Sequence, residues 1–274
     1  MTPTLDVQGL TVQIEGHGPT VVMLHGWPDT LALWDGAVRA LSDGYRCVRF
    51  SLPGFDLSKP PRPVSVNEMC ELVGAVVDAV SPDEPVTLLL HDWGCFFGYE
   101  YAARHPQRVA RVVGTDIGDT NSGAYLKSLK TKEKLMIAGY QLWLAVAWKL
   151  GGWLPGLADR MTRFMARTIG CRTPPERMGW QMNYPYAMQW FGSYGGLRGV
   201  ARVDKVFGPQ IPTLFCFGRR KPFMFHSPRW LAALGTTPGS QVKGFDAGHW
   251  LMFQKPAQFH TAVRAWLDGG GAER

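Results

Sequence analysis

The chain predicts an α/β fold: a mostly parallel sheet with helices on both faces and an inserted helical segment. Three observations point there. Short apolar runs end in Gly or Pro turns, helix-period segments lie between them, and this alternation stops near residue 121 and resumes near 206. Strands separated by helices imply parallel pairing through right-handed crossovers. The expected organisation is a core domain of residues 1–120 and 206–274 with a helical cap domain at 121–205.

The opening "MTPTLDVQGLTVQIEG" alternates apolar and polar residues and predicts two strands; it lacks the basic, apolar, small-residue order of a signal peptide. "TVVMLHG" (20–26) and "YRCVRFSLPG" (45–54) read as buried strands, each followed by a turn containing Gly and Pro. Between them, "TLALWDGAVRALSDG" spaces Leu31, Trp34, Val38 and Leu41 as one face of a helix that stops at Gly44. Next come helix "NEMCELVGAVVDAV", strand "PVTLLLH", helix "GCFFGYEYAARHP" halted by Pro106, and strand "RVARVVGTD". Beyond the helical interval stand strand "IPTLFCFG" (211–218), helix "SPRWLAALG", strand "SQVKGFD" and a last helix, "PAQFHTAVRAWLDG".

Composition narrows the function classes. With 274 residues, 46% hydrophobic and 19% charged, the chain has a globular balance and enough material for a large core. The formal charge of +7 is spread over positions such as Lys127, Lys130 and Lys134, which fit solvated helix faces, and no nucleic-acid motif accompanies it. The most lipid-like run, "LMIAGYQLWLAVAW" (135–148), is too short to span a bilayer; it reads as a buried helix, with a membrane-surface helix as the alternative. No stable membrane insertion is expected. Five scattered cysteines without C-x-x-C spacing suggest neither a disulfide frame nor zinc. The expectation is a cytoplasmic protein, monomeric or homodimeric, with no cofactor.

Chemistry concentrates in "LLLHDWGCFFGYE" (88–100), a strand, an abrupt turn and a helix with Asp92 at the turn. Alone, such an aspartate reads as an N-cap. Gly94 and Gly98, one helical turn apart, favour a helix packed tightly on its strand with the intervening side chain exposed. Ligands of open parallel sheets bind at the strands' carboxyl ends. Those loops hold "HGWP" (25–28), Asp92 and Trp93, Asp116 to Asp119, and His249.

"HGWPDT", "HDWG" and "AGHWLMFQKP" follow successive strands in the order found in capped α/β-hydrolase-fold proteins. The chain resembles the epoxide hydrolase and haloalkane dehalogenase branch over essentially its whole length, and epoxide hydrolases most. The resemblance implies an α/β-hydrolase fold with Asp92 as a nucleophile that forms an alkyl-enzyme ester and His249 as the base activating water. It also implies a carboxylate that orients His249. The usual loop, "CFGRRKPFMFHSP", has none, so a second family arrangement assigns Asp116 after the preceding strand, with Asp119 as the alternative. Asp246 reads as the cap of a turn. The backbone N–H groups of Trp27 and Trp93 would form the oxyanion hole, with their side chains available to line the site. His25 and His91 read as structural hydrogen-bonding groups.

The implied substrate is a small apolar epoxide, opened with water to a vicinal diol without a cofactor. Ring opening needs a proton donor, and relatives use cap tyrosines; Tyr125, Tyr140, Tyr184, Tyr186 and Tyr194 are present. Tyr140 and Tyr186 match best, with Tyr184 the alternative to Tyr186. Leu90 departs from the small residue usual two positions before the nucleophile in epoxide hydrolases, which bears on substrate more than on nucleophile. The alternatives are a haloalkane dehalogenase with the same nucleophile, using Trp93 and a second N–H donor for the halide, and a non-catalytic small-ligand receptor on this scaffold.

Overall fold

The computed structural model describes residues 3–192 and 211–269, so the expected domain boundary at 205/206 and Tyr194 lie outside the described residues. The strands are β1 (Thr4–Val7), β2 (Leu10–Glu15), β3 (Thr20–Leu24), β4 (Arg46–Arg49), β5 (Val86–His91), β6 (Val109–Thr115), β7 (Thr213–Gly218) and β8 (Gln241–Phe245). They form one sheet in the order β1-β2-β4-β3-β5-β6-β7-β8. From β4 to β8 all pairings are parallel, while β2 runs antiparallel to both β1 and β4. The sheet is that of an α/β hydrolase fold.

The intervening helices are α1 (Asp35–Leu41), α2 (Val66–Val80) and α3 (Trp93–Arg104). Every residue of β5 is buried, as a central parallel strand covered on both faces requires. Period-2 alternation sends Val22, Leu24, Leu88 and Leu90 into one core with α2 and α3, and Val21, Met23 and Leu89 into the other with α1 and the helix Pro256–Gly269. The chain winds from β3 to β4 on one side and returns to β5 on the other. This switch leaves a crevice at the carboxyl ends of β3 and β5, where Trp27 and Asp92 stand.

Between β6 and β7 lie α4 (Gly123–Ser128), α5 (Thr131–Gly151), α6 (Pro155–Thr168) and α7 (Tyr184–Phe191). They are held to the sheet side by polar contacts. Trp27 Nε1 donates to Asn183 Oδ1 at 2.7 Å, Gln181 Nε2 to the Asp56 carbonyl at 2.9 Å, and Thr173 Oγ1 to Asp29. The expectation of a buried helix at 135–148 needs correction: Leu135, Met136, Leu142, Trp143 and Val146 are exposed. The run's apolar character all round hid this, because only Leu144, Ala145 and Ala147 within it are buried.

Gly94 and Gly98 let α3 approach the strands, but with different margins. A Cβ on Gly94 would lie 2.2 Å from the Leu24 carbonyl oxygen, whereas one on Gly98 would lie 2.4 Å from Leu90 Cδ2, the tip of a side chain that can turn. Gly94→Ala is therefore expected to cost about 3 kcal/mol and Gly98→Ala about 1 kcal/mol, read from urea unfolding midpoints. Equal losses would contradict this account.

Candidate active site

Asp92 joins β5 to α3 with φ 53° and ψ −124°, a conformation that L residues avoid. The β3 turn approaches it so closely that position 26 has no room for a side chain: a Cβ on Gly26 would meet Asp92 Oδ1 at 2.3 Å and the Trp93 nitrogen at 2.5 Å. The strain presents the carboxylate at the crevice, and Trp27 N–H donates to its Oδ1 at 2.6 Å. Trp93 N–H, at the start of α3, also supports the carboxylate. The two backbone donors expected from the sequence thus converge on Asp92.

His249 follows β8 in the loop leading to the helix Leu251–Gln254. Its Nε2 lies 3.5 Å from Asp92 Oδ2 and its Nδ1 is 2.6 Å from Asp116 Oδ2. Asp116, at the end of β6, also has a left-handed φ of 71° and is fully buried. Gly218 N–H donates to its Oδ1 at 2.9 Å, and the Lys221 ammonium donates to the same oxygen. Lys221 was not singled out by the sequence reading. It stands in the basic loop without a carboxylate, and its side chain is only 6% exposed.

The charges alternate: Lys221, Asp116, His249, Asp92. Burial would raise the Asp116 carboxyl, but the Lys221 ammonium and the His249 hydrogen bond hold it well below the usual carboxylate range. Burial would likewise lower His249; its bonds to Asp116 and Asp92 outweigh this and lift it from 6.5 to about 9. Asp92, despite burial, is held low chiefly by His249. The resting cluster therefore holds an imidazolium between two carboxylates.

The other candidates divide clearly. Asp119 accepts from Ser227 N, Ser227 Oγ and Ser122 Oγ, fastening loops rather than touching His249. Asp246 forms an exposed ion pair with Arg220 instead of the expected turn cap. His25 is fully buried, with Nδ1 against the Gly26 carbonyl at 3.0 Å and Nε2 accepting from Leu52 N–H at 2.9 Å; burial pushes it down to about 4. His91, likewise buried, packs 4.5 Å from the His249 ring and is pushed down to about 3. Asp29 was also passed over by the sequence reading. Burial pushes its carboxyl up to about 6, against hydrogen bonds from Thr173 and Trp250.

Above Asp92 opens a cavity of about 340 Å³ lined by Trp93, Phe96, Ile117, Tyr125, Tyr140 and Tyr186, among others. Tyr140 and Tyr186 pack edge to face with ring centroids 6.1 Å apart, and burial followed by the Asp92 charge raises the Tyr186 hydroxyl well above its ordinary value. Tyr184 is placed elsewhere, its ring edge-on to Phe55 and its hydroxyl buried away from the cavity. Trp27 does not line the cavity either, because its indole is engaged by Asn183. Tyr125 adds a third phenol to the wall.

The sequence profile described as alpha/beta hydrolase fold matches residues 19–166. The chain belongs to that family. Among curated proteins, it is similar to the probable oxidoreductase EphD of Mycobacterium tuberculosis, 42% identical over 100 residues, 35% of this chain and 17% of that protein's length. It thus spans well under two thirds of the first relatives it matches. A longer match, 27% identical over 92% of this chain and 83% of the relative, is to the cis-3-alkyl-4-alkyloxetan-2-one decarboxylase of Shewanella oneidensis. An epoxide hydrolase of Bacillus megaterium superposes with a TM-score of 0.70 at 19% identity, covering 97% of this chain and 100% of the other. This α/β hydrolase therefore shares its fold with epoxide hydrolases.

Two outcomes follow from the buried charges. Lys221→Met leaves Asp116 without its ammonium partner and is expected to cost about 3 kcal/mol in urea unfolding at neutral pH, against a negligible change for an exposed lysine such as Lys132. For His249, the folded-state value of about 9 lies above its ordinary 6.5. Its stabilisation is then fully present below about pH 6.5 and lost as pH rises through about 9. The stability difference between wild type and His249→Gln should shrink across that window; a constant difference would remove the imidazolium from the resting state.

Proposed function

We propose that this α/β hydrolase is an epoxide hydrolase working through an aspartyl ester, with the helical segment 121–192 serving as part of its cap. The observation that carries the reading is a largely apolar cavity lined together by Asp92 and the phenols of Tyr140 and Tyr186. Asp92 Oδ1 is held by Trp27 N–H at 2.6 Å, so Oδ2, at 3.5 Å from His249 Nε2, is the less tightly engaged oxygen and the one that attacks a ring carbon. The ring C–O pair then passes to the epoxide oxygen, which takes a proton from a tyrosine.

Esterification changes the charge around His249. Asp92 becomes neutral, one of the two carboxylates that raised the imidazolium is gone, and His249 falls toward the range of a useful base. After it passes its proton to the tyrosinate left by ring opening, Nε2 accepts one from water while the water oxygen attacks the Asp92 carbonyl carbon. Trp27 and Trp93 N–H groups hold the oxyanion. Collapse breaks the bond between that carbon and the alkyl oxygen, which takes a proton from His249 as the diol leaves; the carboxyl formed on Asp92 then gives its proton to His249, restoring the resting pair. Asp116, fixed by Gly218 and Lys221, keeps Nδ1 engaged throughout.

The haloalkane reading is less well supported. Three indoles that could supply the second halide donor already have partners: Trp27 with Asn183, Trp143 with the Met161 carbonyl and Trp190 with Gln141. A second reading takes its support from the full-length likeness to the oxetanone decarboxylase. A four-membered lactone is another strained ring, and the same carboxylate and cavity could open it.

The deciding experiment supplies styrene oxide, 1,2-dibromoethane and a cis-3,4-dialkyloxetan-2-one to purified protein and follows diol, bromide and alkene. Diol formed by wild type and abolished in Asp92→Asn is expected; alkene alone would favour the lactone reading, and bromide alone the dehalogenase. Ligand-induced melting shifts without product in any assay would support the receptor reading. His249→Gln should accumulate the ester, visible as substrate mass added to the intact protein. Tyr140→Phe and Tyr186→Phe should each lower kcat about 10²-fold, with the double variant nearly inactive.

A further inference from the structure

The helical segment turns a broad apolar and basic face to solvent. Along α5, Leu135, Met136, Leu142, Trp143 and Val146 are exposed at helical spacings that place them on one stripe. The chain entering and forming α6 repeats the pattern with Trp153, Leu154, Leu157 and Phe164, of which Trp153 is 87% and Phe164 58% exposed. The stripes join into one surface: Trp143 Nε1 donates to the Met161 carbonyl at 3.0 Å, and the Trp143 and Phe164 rings lie 5.8 Å apart. Scattered surface leucines need no explanation, but a contiguous apolar face of this kind does.

Its charge is as one-sided as its apolarity. Residues 121–192 hold ten Lys or Arg and three Asp or Glu. Lys132, Lys134, Lys149, Arg160 and Arg167 are exposed. Two of the acids are already engaged: Glu133 accepts from Lys130 N–H, and Asp159 accepts from Trp180 N–H beside Arg163. The face thus combines indole, phenyl and aliphatic side chains with uncompensated cations.

We propose that this face docks the protein on an anionic lipid surface. The apolar stripe would enter the headgroup region while lysines and arginines meet lipid phosphates. No described helix is long and apolar enough to cross a membrane, so the contact is peripheral. Charge complementarity favours lipid over a second copy of the chain, which would bring like charges together. The cavity reaches solvent on the same helical segment, since Leu126, Lys134 and Trp190 belong to both its wall and the exposed surface. Delivery of apolar substrate from lipid to Asp92 rests on the function proposed above; docking does not, and its test reads binding rather than turnover.

The full-length protein is floated with vesicles of phosphatidylcholine alone or of equal parts phosphatidylcholine and phosphatidylglycerol. Binding to the anionic vesicles is expected at least about tenfold above the neutral ones, and should fall as salt is raised. The variant Trp153→Ser/Leu157→Ser/Phe164→Ser and the variant Arg160→Glu/Arg167→Glu should each lose it while keeping the wild-type melting temperature. Absence of binding, equal binding to both vesicles, or binding unaffected by either variant would overturn the proposal. So would a dimer, dissolved by these substitutions in sedimentation velocity, with no vesicle association.

Discussion

A buried row of alternating charges, from Lys221 through Asp116 and His249 to Asp92, sets the terms for everything around it. Each charge is costly alone in a closed interior and tolerable beside its neighbours. The row draws on the ends of β5, β6, β7 and β8, so the sheet must hold four loops in register for any charge to be compensated. Supporting contacts follow from this demand: Gly118 N–H donates to the Phe225 carbonyl at 2.8 Å, Asp119 binds Ser227, and Gly218 N–H reaches Asp116. These bonds tie the β6 and β7 loops together and bring the lysine to the acid.

Asp92 and Asp116 share more than a histidine. Both have positive φ, an expensive choice for non-glycine residues, and both are fixed by backbone donors from neighbouring loops. Local geometry is held against its preference so that two carboxylates flank one ring. The phenols of Tyr140 and Tyr186 that line the cavity belong to α5 and α7, so they and the Asp92, His249 and Asp116 cluster come from separate parts of the chain.

Much of this was legible in the sequence because the signals were local. Strand runs ending in Gly-Pro turns, Gly94 and Gly98 around the elbow, and the order of "HGWPDT", "HDWG" and "AGHWLMFQKP" fixed the fold and the groups at the strand ends. The resemblance also placed Asp116 ahead of Asp119, and the structure brings the former to His249. Other features were invisible for a physical reason. Lys221 looked like one of three consecutive basic residues, and nothing in "RRK" distinguishes the side chain that turns inward. Tyr184 and Tyr186 differ by about 200° around a helix, so only the seating of α7 determines which meets the cavity. The run 135–148 is apolar all round, which conceals which side faces solvent.

Trp27 links two levels of the architecture, its amide on Asp92 Oδ1 and its indole on Asn183, which in turn donates to Thr162 Oγ1 at 2.7 Å. The helical segment is therefore not an interchangeable module. Transplanting a relative's helices onto this sheet would leave a buried indole N–H without an acceptor unless Asn183 travelled with them, and would disturb the same residue that steadies Asp92. Chimeras aimed at a new substrate range have to preserve this one polar rivet, or rebuild it, before any change to the cavity wall can be judged on its own merits.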